Sequence, residues 1–225
     1  SETMVDSATI QFDEFIIASD GTPYAASSDR IAVFDGQDWN NVLQVGPYES
    51  ALGIIEVDNV LYFSFENGGV VRWDLTSNTQ LSTWSTSNNL HSDSVTSLHV
   101  AGNQILLASE DAGLARYDWN TGFWLSTWNN NNWLTSNEVF DVAVSNNIMT
   151  ILNGNSLQTY NTQSGVFLQT YPLQDFGLVN NGDKLLVWPN IGFRSPASEI
   201  ILISDGGGDL AIFDTANTPQ YGGNM

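Results

Sequence analysis

Five short apolar stretches of this chain end in an aromatic residue followed by Asp or Asn: Phe34-Asp35, Trp73-Asp74, Tyr117-Asp118, Tyr160-Asn161 and Phe213-Asp214. Successive Asp or Asn positions are 39, 44, 43 and 53 residues apart. A period of about 40–45 residues built from strand-like units marks a β-propeller, each repeat supplying one four-stranded blade. No other feature constrains the fold as tightly.

The third repeat shows the unit most clearly. Val95 to Val100 alternates and reads as an inner strand. Ala101-Gly102-Asn103 turns the chain, because Gly and Asn tolerate positive φ. Ile105-Leu106-Leu107-Ala108 is an apolar run of the kind buried on both faces. After Glu110-Asp111-Ala112-Gly113 comes a third strand, Leu114 to Asp118, and then a fourth, Phe123 to Trp128. The second repeat matches piece by piece, and its Leu81-Ser82-Thr83-Trp84 recurs as Leu125-Ser126-Thr127-Trp128. The fourth repeat gives Leu168-Gln169-Thr170-Tyr171 in the same place. The fifth is stretched by a loop from Pro189 to Ser198, which accounts for its longer spacing.

Past Asp214 the pattern fails, since Tyr221 to Met225 is no strand. Ala8-Thr9-Ile10-Gln11-Phe12 alternates ahead of the first inner strand. The expected fold is therefore all-β: a five-bladed β-propeller of four-stranded antiparallel blades, its ring closed by the N-terminal strand completing the last blade. Closure of this kind removes an exposed edge. Residues 1–225 form a single domain, with blades over roughly 13–45, 51–85, 95–128, 139–171 and 183–214, the last completed by 8–12. The competing architecture is a piece of a larger ring.

Composition narrows the partners. The chain carries 25 acidic and 5 basic residues, a net charge of −20. Nucleic acid and anionic membrane surfaces are poor partners, because phosphate affinity needs clustered Lys and Arg. There is no cysteine, which removes disulfides, thiolate metal sites and thiol nucleophiles together. No apolar run approaches the ~20 residues of a membrane span. Ser1 to Ser7 has neither the basic segment nor the apolar core of a signal peptide. That leaves either a cytosolic protein or a sequence that begins after processing or trimming; the expected setting is extracellular or periplasmic, and the expected state a monomer.

A second motif joins the repeats. Asn88-Asn89-Leu90-His91-Ser92-Asp93-Ser94-Val95 aligns with Asn132-Trp133-Leu134-Thr135-Ser136-Asn137-Glu138-Val139, sharing Leu-x-Ser-x-x-Val. With Gly113-Leu114-Ala115-Arg116-Tyr117-Asp118, this resembles the repeat of two-component regulator propellers, the periplasmic sensor domains of hybrid histidine kinases. The resemblance covers two repeats well and three loosely. The family's buried strand usually carries Trp-x-Gly-Thr, where this chain has Leu107-Ala108-Ser109. It implies a propeller recognition scaffold and does not extend to kinase output.

Catalytic chemistry finds little support. The two histidines are His91 and His99, and no Gly-x-Ser-x-Gly turn is present. His99 reads as a satisfied core residue on an inner strand, and His91 as a loop residue. A glycosidase needs two carboxyls ~5–9.5 Å apart across the sugar bond. Asp13, Glu14, Glu56, Asp141 and Asp183 lie near inner strands, and Glu56 and Asp141 form the best candidate acidic pair across the axis. No metal-ligand motif is present. Asp205-Gly206-Gly207-Gly208-Asp209 lacks the spacing of an EF-type loop. Ca²⁺ held by channel carbonyls is the one cofactor left open.

Trp133 offers an apolar face to a sugar ring or peptide, and Asn offers paired donors and acceptors. Trp133, Asn131, Asn132, His91 and Asp93 are therefore the expected contacts of a non-catalytic binding or interaction module. Its ligand would be a glycan, a peptide or a partner protein. Arg72 and Arg116, at equivalent positions, read as structural interblade residues, and Trp84 and Trp128 as outer-strand packing. The alternatives are an acidic-pair glycoside hydrolase and a purely structural piece of a larger surface protein.

Overall fold

The computed structural model describes residues 11–46, 48, 50–176, 184–189, 199–204 and 210–214. Their regular structure is almost entirely β, in five antiparallel sheets. The first sheet holds β1 (Glu14–Ile17), β2 (Pro23–Ser27), β3 (Arg30–Phe34) and β4 (Trp39–Gln44). The second holds β5 (Ala51–Val57), β6 (Val60–Phe65), β7 (Gly69–Asp74) and β8 (Thr79–Gln80). The third holds β9 (Val95–Ala101), β10 (Gln104–Ser109), β11 (Gly113–Asp118) and β12 (Phe123–Trp124). The fourth holds β13 (Val139–Ser145), β14 (Ile148–Asn153), β15 (Ser156–Asn161) and β16 (Phe167–Pro172). The described part of the fifth holds β17 (Lys184–Pro189), β18 (Glu199–Ser204) and β19 (Leu210–Asp214). Every sheet is an up-and-down meander. The first strands of neighbouring sheets touch in order: β1 with β5, β5 with β9, β9 with β13, and β13 with β17.

The recurring Asp or Asn has a local cause. In the first four repeats its Oδ1 accepts two backbone N–H groups just ahead and so folds the turn after the third strand; the residues following Asp214 lie outside the described ones. Asp35 takes Gln37 and Asp38, Asp74 takes Thr76 and Ser77, Asp118 takes Asn120 and Thr121, and Asn161 takes Gln163 and Ser164, all at 2.8–3.0 Å. These donations hold the Asp35 and Asp74 carboxyls below their ordinary range. Turns between first and second strands use a different device. Asp58-Asn59 and Asn146-Asn147 both adopt positive φ, the geometry that a two-residue hairpin matched to strand twist requires.

The apolar runs are explained by where alternate side chains go. Leu61, Phe63 and Phe65 pack with the first sheet, while Tyr62, between them, packs with the third. Ile105 and Leu107 face the second sheet, and Leu106 and Ala108 the fourth. A fourth cluster, Leu152, Leu157, Leu173 and Ile203, joins the fourth sheet to the fifth. The core is thus four layers lying between sheets, and a second strand buried on both sides must be apolar at successive positions.

Outer strands depart from expectation. The strands read at Leu81–Trp84 and Phe123–Trp128 are bulged, leaving only β8 and β12 plus single bridges from Val70 to Trp84 and from Leu114 to Trp128. An arginine fills each bulge. Arg72 Nε donates to the Ser82 carbonyl at 2.8 Å, and Arg116 Nε to the Ser126 carbonyl at 3.2 Å. Each guanidinium also lies 4.7 Å from the ring of the following tryptophan, Trp84 or Trp128. These arginines brace their own sheets. The contact between sheets comes from the tryptophans: Trp84 meets Tyr117 at 4.5 Å and Trp128 meets Tyr160 at 4.8 Å. The fourth sheet has Thr159 at the arginine's place, and its outer strand β16 extends over six residues with one register shift, between Thr159 and Tyr160.

The segment 8–12 was expected to complete the last blade, and its residues 8–10 lie outside the described residues. Gln11 and Phe12 belong to no strand, and the Phe12 ring lies 4.9 Å from Trp39 of β4. Asp183 and the turn 205–209 also lie outside.

His99 on β9 is half-buried, and its Nε2 accepts the Val144 N–H of β13 at 3.2 Å. Burial lowers its pKa from 6.5, partly opposed by Asp141. Above 6.5 the imidazole is neutral in both folded and unfolded states, and its contribution is complete. Below 6.5 the unfolded chain takes up a proton that the folded chain resists, so stability falls with pH. Thermal melts across this range should therefore show a steeper acid loss in the wild type than in His99→Gln. Identical slopes would remove His99 as the cause.

Candidate functional site

The two loops leading from one sheet into the next are wired alike. Ser85 N donates to Asn88 Oδ1 at 2.7 Å, and Asn129 N to Asn132 Oδ1 at 2.8 Å. Asn88 and Asn132 then donate from Nδ2 to the carbonyls of Thr83 and Thr127. Asp93 accepts Thr86 N at 2.7 Å, and Asn137 accepts Asn130 N at 2.9 Å. Leu90 and Leu134 are the buried anchors. Asn132 and Asp93, expected as ligand contacts, spend their side chains on shaping these loops.

The other expected contacts are placed as follows. Asn131 is exposed, with its N–H on Asn129 Oδ1 at 3.0 Å. Trp133 is 50% exposed, its ring 6.0 Å from Trp128. Its carbonyl accepts the Tyr160 hydroxyl, so the loop is pinned beneath an open indole. The hydroxyl of Thr127 meets His91 Nε2 while its carbonyl takes Asn132 Nδ2. One residue therefore couples the two loops and brings His91 beside Asn132.

Glu56 and Asp141, the candidate acidic pair, each bond to a neighbouring sheet. Glu56 lies one residue from the end of β5, and its carboxylate accepts the N–H and hydroxyl of Ser19 at 2.6 and 2.5 Å. Asp141 lies four residues from the end of β13. It accepts its neighbour Val142 N–H and, at 2.8 Å, the Leu185 N–H of β17. Asp13 accepts the Ala51 N–H of β5 at 3.2 Å. These carboxylates stitch adjacent sheets. The Glu14 carboxyl is pushed up by burial, with Lys184 opposing. Among the described residues no group of three or more His, Asp or Glu side chains is arranged to hold a metal ion.

Two hollows open beside the loops. One, about 110 Å³, is lined by Leu52, Glu66, Thr96, Glu110, Phe140 and Lys184, whose Nζ lies 3.5 Å from the Leu52 carbonyl. The other is a groove of about 380 Å³ over the fourth sheet, lined by Thr135, Ser136, Glu138, Asn153, Ser156 and Thr170 among others. Sequence reading passed over this groove. The signal available was a break in the repeat, amides standing where the matching repeats have Phe65 or Ser109 and Val71 or Ala115.

No family model matches the chain, and no curated protein matches it. Solved structures do. The extracellular domain of a putative hybrid two component system from B. thetaiotaomicron is 14% identical with a TM-score of 0.70, over 98% of this chain and 28% of its own. A second such extracellular domain from the same organism is 15% identical with a TM-score of 0.67, over 92% of this chain and 29% of its own. The computationally designed Ika8 protein is 14% identical with a TM-score of 0.64, over 92% of this chain and 59% of its own. The chain thus spans less than a third of the B. thetaiotaomicron domains. No helix among the described residues is long and apolar enough to cross a membrane. The likeness is one of fold: this chain shares its sheet arrangement with extracellular domains of two-component-type systems.

Proposed function

We propose that this chain is a non-catalytic binding or interaction module on a five-bladed propeller scaffold, working outside the cytoplasm. Its ligand, a glycan, peptide or partner protein, would sit on the face carrying the loops at 85–94 and 129–138. One observation carries the reading. The residues with catalytic potential are engaged in structure, while Trp133 presents an open ring on a loop whose backbone is fixed from below. The likeness to extracellular sensor-type domains supports the setting. Ring closure is supported by Lys184 of the fifth sheet reaching the Leu52 carbonyl of the second.

The test is a thermal-shift scan against a glycan and peptide panel, with and without Ca²⁺, because a native-state ligand raises the melting temperature by mass action. The expected result is a rise of a few degrees with one ligand class, lost in Trp133→Ala. No shift with any member, and no partner recovered by crosslinking through the Trp133 loop, would leave the structural-piece reading in its place.

A further inference from the structure

We infer that the groove over the fourth sheet is a binding site for an uncharged, polyhydroxylated ligand, the end of a neutral saccharide. This rests on the binding-module reading and names its site and ligand class.

Two buried amides carry the inference. Asn153 ends β14 and is 0% exposed, and Gln158 on β15 is 2% exposed. The matching positions are Phe65 and Ser109 for Asn153, and Val71 and Ala115 for Gln158. The fold therefore does not require amides at either place. A buried polar group is costly unless satisfied. Here both are satisfied, and Thr135, Ser136 and Ser156 among their partners border the groove. Asn153 Oδ1 accepts the hydroxyls of Thr135 at 2.7 Å and Ser156 at 3.1 Å, and its Nδ2 donates to the Ser136 carbonyl at 3.2 Å. Gln158 Oε1 accepts the Thr135 N–H at 2.9 Å, and its Nε2 donates to the Tyr160 hydroxyl at 3.1 Å. Burial pushes that phenol up to about 12, so it stays a neutral link in the chain of hydrogen bonds. The network fixes the positions of Thr135 and Ser156 before any ligand arrives.

The hollow itself follows from a shorter turn. Two residues separate β14 from β15, whereas three separate β6 from β7 and β10 from β11. The volume, about 380 Å³, lies in the range of about 300–1,000 Å³ typical of ligand sites. The chemistry of the lining selects the class. Hydroxyls and amides that both donate and accept suit sugar hydroxyls, which do the same. No cation lines the groove, Glu138 is its one carboxylate, and the chain carries a net charge of −20, so an anionic ligand is disfavoured.

The experiment titrates neutral gluco-, manno- and xylo-oligosaccharides, and uronate oligosaccharides as anionic controls, into isotopically labelled protein followed by NMR. Thr170→Trp fills the groove from β16, Ser156→Ala removes one hydroxyl, and Asn155→Trp serves if Thr170→Trp melts early. Expected are shifts centred on residues 135, 153, 156 and 170 with a neutral saccharide only, and a loss of at least about tenfold in affinity in the groove-filling variant. Saccharide binding that survives Thr170→Trp but is lost in Trp133→Ala would overturn the groove while leaving the module reading intact. Absence of binding by every neutral saccharide up to about 10 mM would overturn the ligand class, with peptide and protein partners still to be scored by the thermal scan.

Discussion

Gly113→Ala should lower the melting temperature by about 10 °C, and Gly102→Ala by about a third as much, for a chain in which 1 kcal/mol is worth about 2–4 °C. Both glycines have positive φ, +89° at Gly113 and +59° at Gly102, so both substitutions carry backbone strain of about 1 kcal/mol. They differ in what surrounds them. A Cβ at Gly102 meets nothing within 4 Å, whereas one at Gly113 would stand 2.1 Å from the Trp128 carbonyl oxygen. That oxygen accepts the Leu114 N–H, and Gly113 N itself donates to the Asn137 carbonyl of the next loop. Relief of the clash must therefore break the outer edge of the third sheet or its tie to the fourth, for a total of about 3 kcal/mol. Gly69, facing the Trp84 carbonyl at the same 2.1 Å, should behave alike. Melting curves followed by circular dichroism measure the contrast. Equal losses at Gly113 and Gly102 would mean that the close approach to Trp128 does not exist.

Trp128→Ala should cost about 3–5 kcal/mol, the range for emptying a buried aromatic site. The side chain is almost fully buried, packs on Tyr160 of the neighbouring sheet at 4.8 Å, and lies under the Arg116 guanidinium. Its loss strips the contact between third and fourth sheets and uncovers the floor of the Trp133 loop. Arg116→Ala alone should cost less, since it removes the bonds to Ser126 but leaves the layer between the two sheets in place. The double variant should be milder than the sum by about 1 kcal/mol, the worth of the cation–π contact. Denaturant midpoints of the four proteins give this coupling directly. Strict additivity would assign Arg116 to the bulge alone.

Most of the strands could be read because the repeat wrote them several times. The Asp or Asn after each aromatic residue is bound to recur, since a turn folded around its own side chain needs that residue type. Apolar runs such as Ile105 to Ala108 were legible because a strand lying between two layers has no solvent face. The outer strands were not. Leu81–Trp84 reads as a continuous strand, and only the three-dimensional position of Arg72, ten residues before Ser82, shows that a side chain replaces the missing ladder bonds. The candidate contacts were half legible for a similar reason. Sequence marks Asn132 and Asp93 as polar loop residues, but whether such a side chain faces outward or folds back onto its own loop depends on N–H groups several residues away. Asn153 and Gln158 stood in plain view as departures from the repeat, and their importance appears only once the matching positions are known to be buried.

The shared wiring of the loops at 85–94 and 129–138 has an evolutionary consequence. Because Asn88 and Asn132, Asp93 and Asn137, and Leu90 and Leu134 hold the backbone, the side chains at position 87 in one loop and at 131 and 133 in the other carry little of the folding burden. Specificity can drift there while the scaffold stays constant. The same division makes the two loops natural sites for randomised libraries, in which new recognition is sought without asking the protein to fold anew.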